Sequence, residues 1–225
     1  MIRPLAWLLL LSLSVAGCDD TEPGEQPPGT NAAPSAQDLP RPPPVAEAEL
    51  VRVRLETEAG AINLELDARR APITTANFLA YVDQGRFDGT RFYRASRTRG
   101  ATNRGFIQGG IQRNYRLMLP PIAHEPTSET GRSHVDGTIS MARTAPGTAM
   151  GEFFIIAGDM PSMDAGAGRE GDDLGFAAFG RVVEGMDVVR RILAAPTVPE
   201  AGRGAMRGQM LAEPIGIVRA RRIEP

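Results

Sequence analysis

The fold is decided by a stretch of alternating residues at positions 51–66, which reads VRVRLETEAGAINLEL. Apolar side chains occupy every second position of 51–55 and again of 62–66, with arginine, asparagine and glutamate between them. A period of two is typical of half-buried β-strands, and the Glu58-Ala59-Gly60 break between the two runs predicts a hairpin. A folded domain beginning at about Glu49 therefore opens as antiparallel sheet.

Further short apolar runs follow the hairpin and predict more strands, separated by loops rich in Gly and Pro. These runs lie at 91–94, 106–111, 138–142, 153–157, 176–183 and 215–222. Two helices are expected, one from Pro72 to Gly85 and one from Met186 to Leu193 that ends before Pro196. Many short strands with two helices predict a mainly β fold, a closed antiparallel barrel whose open ends are covered by the helices.

The first seventeen residues have the pattern of a secretory signal. Arg3 gives a basic start, an apolar run covers 5–13, and small residues precede Cys18. The string Val15-Ala16-Gly17-Cys18 resembles a bacterial lipobox, in which the chain is cleaved before the cysteine and acyl chains are attached to it. We expect a signal peptide of lipoprotein type at 1–17, lipidation at Cys18, and an exported, membrane-anchored protein facing the periplasm.

Residues 18–48 carry many prolines among Gly, Gln, Ser and acidic residues, with no apolar periodicity. Such a segment cannot bury enough apolar surface to fold, and a proline-rich spacer is semi-extended. We therefore expect a disordered linker at 18–48 that holds a single folded domain, 49–225, clear of a membrane.

The charge balance argues against nucleic acid as a partner. The chain has 25 basic residues, all arginine, against 27 acidic ones, for a net charge of −2, whereas nucleic-acid binding depends on clustered cations. His124 and His134 are the only imidazoles, without the Cys or carboxylate spacing of a zinc site. We expect no cofactor and no metal, and a monomer.

A series of short strings runs in order along residues 50–223. Phe92-Tyr93-Arg94 and Phe106-Ile107-Gln108-Gly109-Gly110 are the most distinctive. The others are Ala71-Pro72, Asn77-Phe78-Leu79, Tyr81-Val82, Phe87-Asp88-Gly89-Thr90, His134, Gly137-Thr138-Ile139-Ser140-Met141-Ala142, Glu152-Phe153-Phe154-Ile155 and Phe179-Gly180-Arg181-Val182. The series resembles the cyclophilin family of peptidyl-prolyl cis/trans isomerases. The resemblance implies an eight-stranded closed barrel and an enzyme that assists the folding of exported, proline-containing polypeptides.

By the same resemblance, Arg94, Gln108 and Phe154 are the expected catalytic residues. Gln108 would bind substrate backbone and orient Arg94, and Phe154 would form the floor of a proline pocket. Further substrate contacts are expected from Phe106, Met141, Ala142, Arg143, Glu152 and Phe176. On alternating strands each apolar member of this set could instead belong to the core, and Arg94 could be a solvated surface residue.

The residue types also suit the reaction on chemical grounds. Rotation about an X–Pro bond must overcome amide resonance, a barrier of about 18–20 kcal/mol, yet no bond is made or broken. A catalyst needs an apolar slot for the proline ring and donors that prefer the twisted amide. A fixed guanidinium beside an apolar wall, as expected for Arg94, supplies such a donor.

Several positions depart from the family pattern. The segment from Ala95 to Gly105 lengthens the spacing between Arg94 and Gln108 and suggests an inserted loop beside the groove. Gly105 stands where many members have a pocket Phe, Glu152 where many have Gln, and Arg143 where many have Asn. These changes leave open a protein that binds proline segments without turning them quickly. A ligand-carrying barrel of lipocalin type is a more distant alternative.

Overall fold

The computed structural model describes residues 50–101, 103–168 and 171–224. The predicted signal peptide at 1–17, the lipidation site at Cys18 and the linker at 18–48 lie outside the described residues. Within the described part of the chain, no helix is both long enough and apolar enough to cross a membrane.

Nine strands among the described residues form one antiparallel sheet. They are β1 (Leu50–Thr57), β2 (Gly60–Asp67), β3 (Arg91–Arg97), β4 (Gly105–Gly110), β5 (Thr138–Met141), β6 (Glu152–Ala157), β7 (Ala177–Glu184), β8 (Thr197–Val198) and β9 (Met210–Arg222). Their order in the sheet is β1-β2-β7-β5-β6-β4-β3-β9-β8, and β1 also pairs with β9. That last pairing closes eight strands into a barrel, while the two-residue β8 extends β9 outside it, so the predicted closed eight-stranded barrel is confirmed.

The opening hairpin has the register that its sequence predicts. Val53 pairs with Leu64 and Leu55 with Ile62, and all four side chains have no exposed surface. Their neighbours along β1 are only partly buried. One face of the hairpin therefore lines the barrel interior, as the period of two requires.

The first helix, α1 (Pro72–Asp83), begins with proline at its first turn, where the missing N–H costs nothing. Ala71 before it has no capping side chain. Instead, the buried carboxylate of Glu125 accepts the backbone N–H groups of Ile73 at 3.0 Å and Thr74 at 2.7 Å. A carboxylate at this end also matches the helix dipole, so a residue distant in sequence caps the helix.

The second predicted helix is also confirmed, as α3 (Met186–Ala194). It buries Val188, Val189, Ile192 and Leu193 on one face, the spacing of an amphipathic helix. A single-turn helix, α2 (Thr127–Thr130), was not expected. Four residues are too few to leave an apolar period in the sequence.

Aromatic rings fill the barrel interior. Phe78 from α1 lies with its ring centroid 5.0 Å from Phe87 and 5.3 Å from both Phe153 and Phe179. All four rings have no exposed surface. Because α1 places its aromatic side chain among rings from the sheet and from the turn that follows the helix, the barrel has a packed core and not the open cavity of a ligand carrier.

The later strands occur where the apolar runs predicted them, with different ends. β3 continues to Arg97, and β9 starts at Met210, five residues before the expected Ile215. Pro214 concealed this start, because a residue without an N–H reads as a strand boundary. The pairing of β3 with β9 is irregular at the same place, passing from Phe92–Ile215 to Arg94–Met210.

Candidate active site

Four neighbouring strands, β3, β4, β6 and β5, carry the candidate residues on the outer face of the barrel. Gln108 on β4 pairs with Arg94 on one side and with Phe154 on the other. Phe154 in turn pairs with Ser140 on β5. Since side chains at paired positions share a face, these residues form a row across the outside of the barrel.

Arg94 reaches this row because β3 has a bulge at Tyr93. Phe92 pairs with Gly109 and Arg94 with Gln108, which leaves Tyr93 as the extra residue. A bulge redirects side chains locally. As a result, two successive residues of β3, Tyr93 and Arg94, both hydrogen-bond the same Gln108 side chain.

The Arg94 guanidinium is held by two amide side chains. Its Nη1 donates to Oε1 of Gln108 at 2.8 Å, and its Nε and Nη2 donate to Oε1 of Gln209 at 2.9 and 2.7 Å. A guanidinium has five N–H groups, so one on Nη1 and one on Nη2 have no partner among the described residues. Burial lowers the pKa of Arg94, yet arginine titrates so far above neutral pH that it stays charged.

An apolar cluster separate from the barrel core lies beside this cation. We call it the outer cluster; it consists of Phe106, Phe154, Ile156 and Met163, with Ala142, Met160 and Phe176 packed against it. Arg94 lies over the Phe106 ring, with Cζ 4.9 Å from the centroid, a cation–π contact that fixes the guanidinium further. A positioned donor therefore stands at the edge of an apolar surface.

Phe154 is held on three sides by rings. Its centroid lies 5.3 Å from Phe106 and from Phe176, the latter edge-on, and the His134 ring stacks on it at 6.0 Å. His134 is fixed by Asp164 at 2.6 Å and Ser140 at 3.0 Å. This Ser-His-Asp arrangement is no hydrolase site, because Ser140 and His134 have no exposed surface and no substrate carbonyl can reach them.

Glu152 lies at the start of β6, two residues before Phe154, and pairs with Gly110 of β4. Tyr93 donates its hydroxyl to Oε2 of Glu152 at 2.7 Å and accepts the side-chain N–H of Gln108 at 2.8 Å. Burial raises the pKa of Glu152, against hydrogen bonds that lower it. Burial also raises the pKa of Tyr93, and the charge on Glu152 raises it further. Arg94, Gln108, Tyr93 and Glu152 thus form one continuous chain of hydrogen bonds.

A family model described as cyclophilin type peptidyl-prolyl cis-trans isomerase/CLD matches residues 52–219. The chain belongs to the cyclophilin-type isomerases. Peptidyl-prolyl cis-trans isomerase A of Dickeya dadantii is 36% identical over 160 residues, which cover 69% of this chain and 77% of that one. Peptidyl-prolyl cis-trans isomerase cyp18 of Streptomyces antibioticus is 38% identical over 151 residues, covering 67% and 87%.

Solved cyclophilins share the fold at lower identity. A cyclophilin-type isomerase of Cryptosporidium parvum, solved in the presence of the dipeptide Ala-Pro, is similar with a TM-score of 0.61 at 19% identity, covering 77% of this chain and 99% of that one. The barrel architecture and the membership of the isomerase family, both expected from the sequence, are confirmed.

Arg143 was expected to contact substrate, but its guanidinium binds other residues of the cyclophilin domain. Its Nη1 and Nη2 donate to the two carboxylate oxygens of Asp172 at 2.8 and 2.7 Å, and its Nε donates to the Gly175 carbonyl at 3.0 Å. The guanidinium also lies 5.5 Å from the Phe176 ring centroid. Only 7% of its side chain is exposed, so Arg143 holds the segment that carries Phe176.

Met141 does not lie at the groove. It pairs with Phe153, has 1% of its surface exposed, and belongs to the barrel core. The expectation of a side-chain contact with substrate is therefore corrected, because alternation along β5 turns Met141 inward while Ser140 faces out. Ala142, one residue further, packs against the outer cluster.

The departure at Gly105 has a steric cause. Its φ is +148°, and a Cβ atom built there would lie 2.0 Å from the Ser96 carbonyl oxygen. No side chain fits.

The loop between β3 and β4 is shorter than the insertion expected at Ala95–Gly105. The strands continue to Arg97 and begin again at Gly105, and the Thr98 N–H donates to the Arg104 carbonyl at 2.8 Å.

Gln209, like Tyr93, is a site residue that sequence reasoning missed. It lies just before β9, and its Nε2 donates to the Ala205 carbonyl at 2.7 Å, which turns Oε1 toward Arg94. The surrounding segment is rich in Gly and Arg and has no apolar period. No sequence signal marks the residue, because only the folding of this loop against β3 brings it to the guanidinium.

Proposed function

We propose that this cyclophilin turns X–Pro bonds of exported polypeptides by non-covalent catalysis, with Arg94 as the catalytic donor. In the planar amide, the prolyl nitrogen shares its lone pair with the carbonyl; as the bond twists, the nitrogen becomes pyramidal and can accept a hydrogen bond. The two unpaired N–H groups of Arg94 are available to donate it. A donor that is stronger for the twisted amide lowers the barrier without any bond being made or broken.

The observation that carries this proposal is the double fixation of Arg94. Bonds to Gln108 and Gln209 and the contact with Phe106 at 4.9 Å leave the guanidinium little freedom. Because the donor is already oriented and charged, no reorganisation is needed when the amide twists. One such donor is worth on the order of 10²–10³ in rate.

The outer cluster supplies the complementary apolar surface. Phe154 is the floor on which the proline ring lies, and Phe106 and Phe176 flank it at 5.3 Å. Ala142 packs against the same cluster, and we propose that its small side chain admits the substrate chain at the edge. A cyclophilin of the same fold was solved in the presence of the dipeptide Ala-Pro, and we propose an alanyl-prolyl ligand for this site by analogy.

A protease-coupled assay on a short prolyl peptide tests the proposal. Arg94→Ala is expected to lower kcat/KM by about 10²–10³, and Arg94→Lys to recover little, because an ammonium lacks the planar fork of donors. Arg91→Ala, which removes an exposed arginine from the same strand, is the matched control and keeps wild-type activity. Equal rates for Arg94→Ala and wild type would reject the catalytic role and leave a protein that only binds proline segments.

The cellular setting is proposed from residues 1–48. A lipid on Cys18 anchors the chain, and the proline-rich segment after it spaces the enzyme from the membrane, where it meets polypeptides that have just been exported. Incorporation of labelled fatty acid, followed by membrane fractionation, tests this. Cys18→Ser is expected to lose both the label and the membrane association; label that persists in Cys18→Ser would contradict the anchor.

A further inference from the structure

Glu152 has both carboxylate oxygens engaged inside the protein. Oε2 accepts the Tyr93 hydroxyl at 2.7 Å, and Oε1 accepts the backbone N–H of Arg113 at 3.2 Å. Gln112 and Arg113 have φ of +50° and +57°, a left-handed conformation that costs free energy in residues other than glycine. The carboxylate therefore stabilises a strained turn on one side and the chain of hydrogen bonds to Arg94 on the other.

The direction of that chain follows from its two ends. Arg94 can only donate, so the Gln108 oxygen must face it, and the Gln108 amide nitrogen must face Tyr93. Tyr93 accepts this N–H and has one proton left to donate. An ionised Glu152 can only accept that proton, so a charge at each end makes every bond in the chain point from Arg94 toward Glu152.

We propose that Glu152 is a positioning residue for Arg94: its ionised carboxylate fixes the orientation of the Gln108 side chain through Tyr93, and protonation of Glu152 lowers isomerase activity. This rests on the proposed function. The role differs from a substrate contact, because both carboxylate oxygens are turned to Tyr93 and Arg113 and not to the groove.

The groups that face Glu152 set the pH range of the effect. Tyr93 comes from β3 and Arg113 from the turn after β4, while Tyr81 of α1 senses the Glu152 charge. Burial outweighs the hydrogen bonds and raises the pKa of Glu152. Activity is therefore lost, on acidification, at a pH above the usual glutamate value of about 4.3. The raised pKa of Tyr93 keeps its hydroxyl protonated throughout.

Glutamine at position 152 cannot replace the carboxylate. An amide has one acceptor oxygen, whereas Tyr93 and the Arg113 N–H both donate to Glu152. If the amide nitrogen faces Tyr93, the hydroxyl donates to Gln108 instead, and the Gln108 nitrogen turns toward Arg94. The nearly isosteric variant Glu152→Gln thus disturbs Arg94 without creating a cavity.

The first experiment observes Gln108 directly by NMR in isotope-labelled protein. Its side-chain amide signals are expected to titrate with Glu152 in the wild type and to lose that titration in Glu152→Gln and in Tyr93→Phe. Glu184→Gln is the matched control, because Glu184 accepts an amide N–H from Asn63 at 2.5 Å on strands that do not neighbour β3 or β4. Gln108 amide signals whose chemical shifts do not change with pH in the wild type would overturn the proposal.

The second experiment measures kcat and KM between pH 4.5 and 8. Glu152→Gln and Tyr93→Phe are each expected to lower kcat about tenfold with little change in KM, and the double variant to lose no more than the larger single loss, since coupled residues are non-additive. The acid limb is expected to vanish in Glu152→Gln and persist in Glu184→Gln. Additive losses, or an unchanged acid limb, would refute positioning. If the wild type has no activity, the proposed function fails, while the NMR titration still decides the role of Glu152.

Discussion

Two adjacent phenylalanines on β6 show how one strand serves two regions of the molecule. Phe153 faces the barrel interior with no exposed surface, among the rings of Phe78, Phe87 and Phe92. Phe154, the next residue, is 3% exposed and faces the outer cluster. Both are almost completely buried, so burial alone does not distinguish a residue of the fold from a residue of the site.

The difference lies in what surrounds each ring. The inner ring contacts only other parts of a closed core, and nothing in its surroundings needs a further partner. The outer ring lies in a row with a charged donor, Arg94, that keeps two N–H groups unpaired. Under the proposed function, a substrate contacts the outer side of the strand and not the inner side, so stability and catalysis are expected to separate by strand face.

The largest effect is expected from the inner ring. Phe153→Ala leaves a cavity where three aromatic rings meet, and such a change costs about 3–5 kcal/mol of unfolding free energy. Urea denaturation followed by circular dichroism measures it. If the alanine variant does not fold, Phe153→Leu is measured instead and is expected to keep kcat/KM within about threefold of wild type. A folded Phe153→Leu that has lost its activity would contradict the separation of the faces.

Phe154 should give the opposite result. Phe154→Leu removes the flat floor for the proline ring, and kcat/KM is expected to fall about 100-fold, equivalent to about 2.7 kcal/mol. The unfolding free energy should fall less than in Phe153→Leu, since the outer cluster is small and borders solvent. The same peptide assay and urea titration serve both variants. A Phe154→Leu enzyme with wild-type kcat/KM would remove this residue from the pocket.

The strands around the inner region could be predicted from the sequence. Period two at Val51–Leu55 and at Ile62–Leu66 identified side chains that face the barrel interior, because alternation depends on backbone geometry alone. The start of β9 at Met210 and the one-turn helix α2 could not be predicted. Both are stabilised by contacts with distant parts of the chain, which leave no local pattern.

The outer region could be predicted only in part. Arg94, Gln108 and Phe154 fell into one row because the family strings fix their strands and faces. Met141 was predicted on the outer face, but it lies one residue out of phase with that face and points inward. Gln209 was missed because it belongs to a loop whose sequence has no periodicity. Arg143 could be recognised as a departure from the family pattern. Its pairing with Asp172 could not be predicted, because the two residues are 29 positions apart in the sequence and meet only when the loop folds.

A variant of Arg143 tests whether the position of Phe176 in the outer cluster depends on this arginine. Arg143→Ala removes the bidentate bond to Asp172 and the contact with Phe176, so the ring loses its fixed position. We expect kcat/KM to fall about fivefold, equivalent to about 1 kcal/mol. The unfolding free energy is expected to fall as well, because the buried guanidinium also binds the Gly175 carbonyl, which loses its donor. Arg181→Ala, which removes an exposed arginine paired with Glu65, is the control. Activity equal to that control would show that Phe176 holds its place unaided.

The smallest effect concerns pH and the loop behind Phe176, where His124 bonds the Leu174 carbonyl at 3.2 Å. Burial lowers the pKa of His124 in the folded protein, so as the pH falls the unfolded chain binds this proton first. The stabilisation is complete above the ordinary histidine value of about 6.5 and is lost as the pH falls toward the folded value. Glu152, with its raised pKa, acts in the opposite direction, and only the difference between wild type and His124→Gln isolates the histidine. The unfolding free energy of the wild type, measured in urea at pH 8 and pH 5.5, is expected to drop more than that of the variant. Equal decreases in the two proteins would mean that protonation of His124 does not affect the stability of the folded protein.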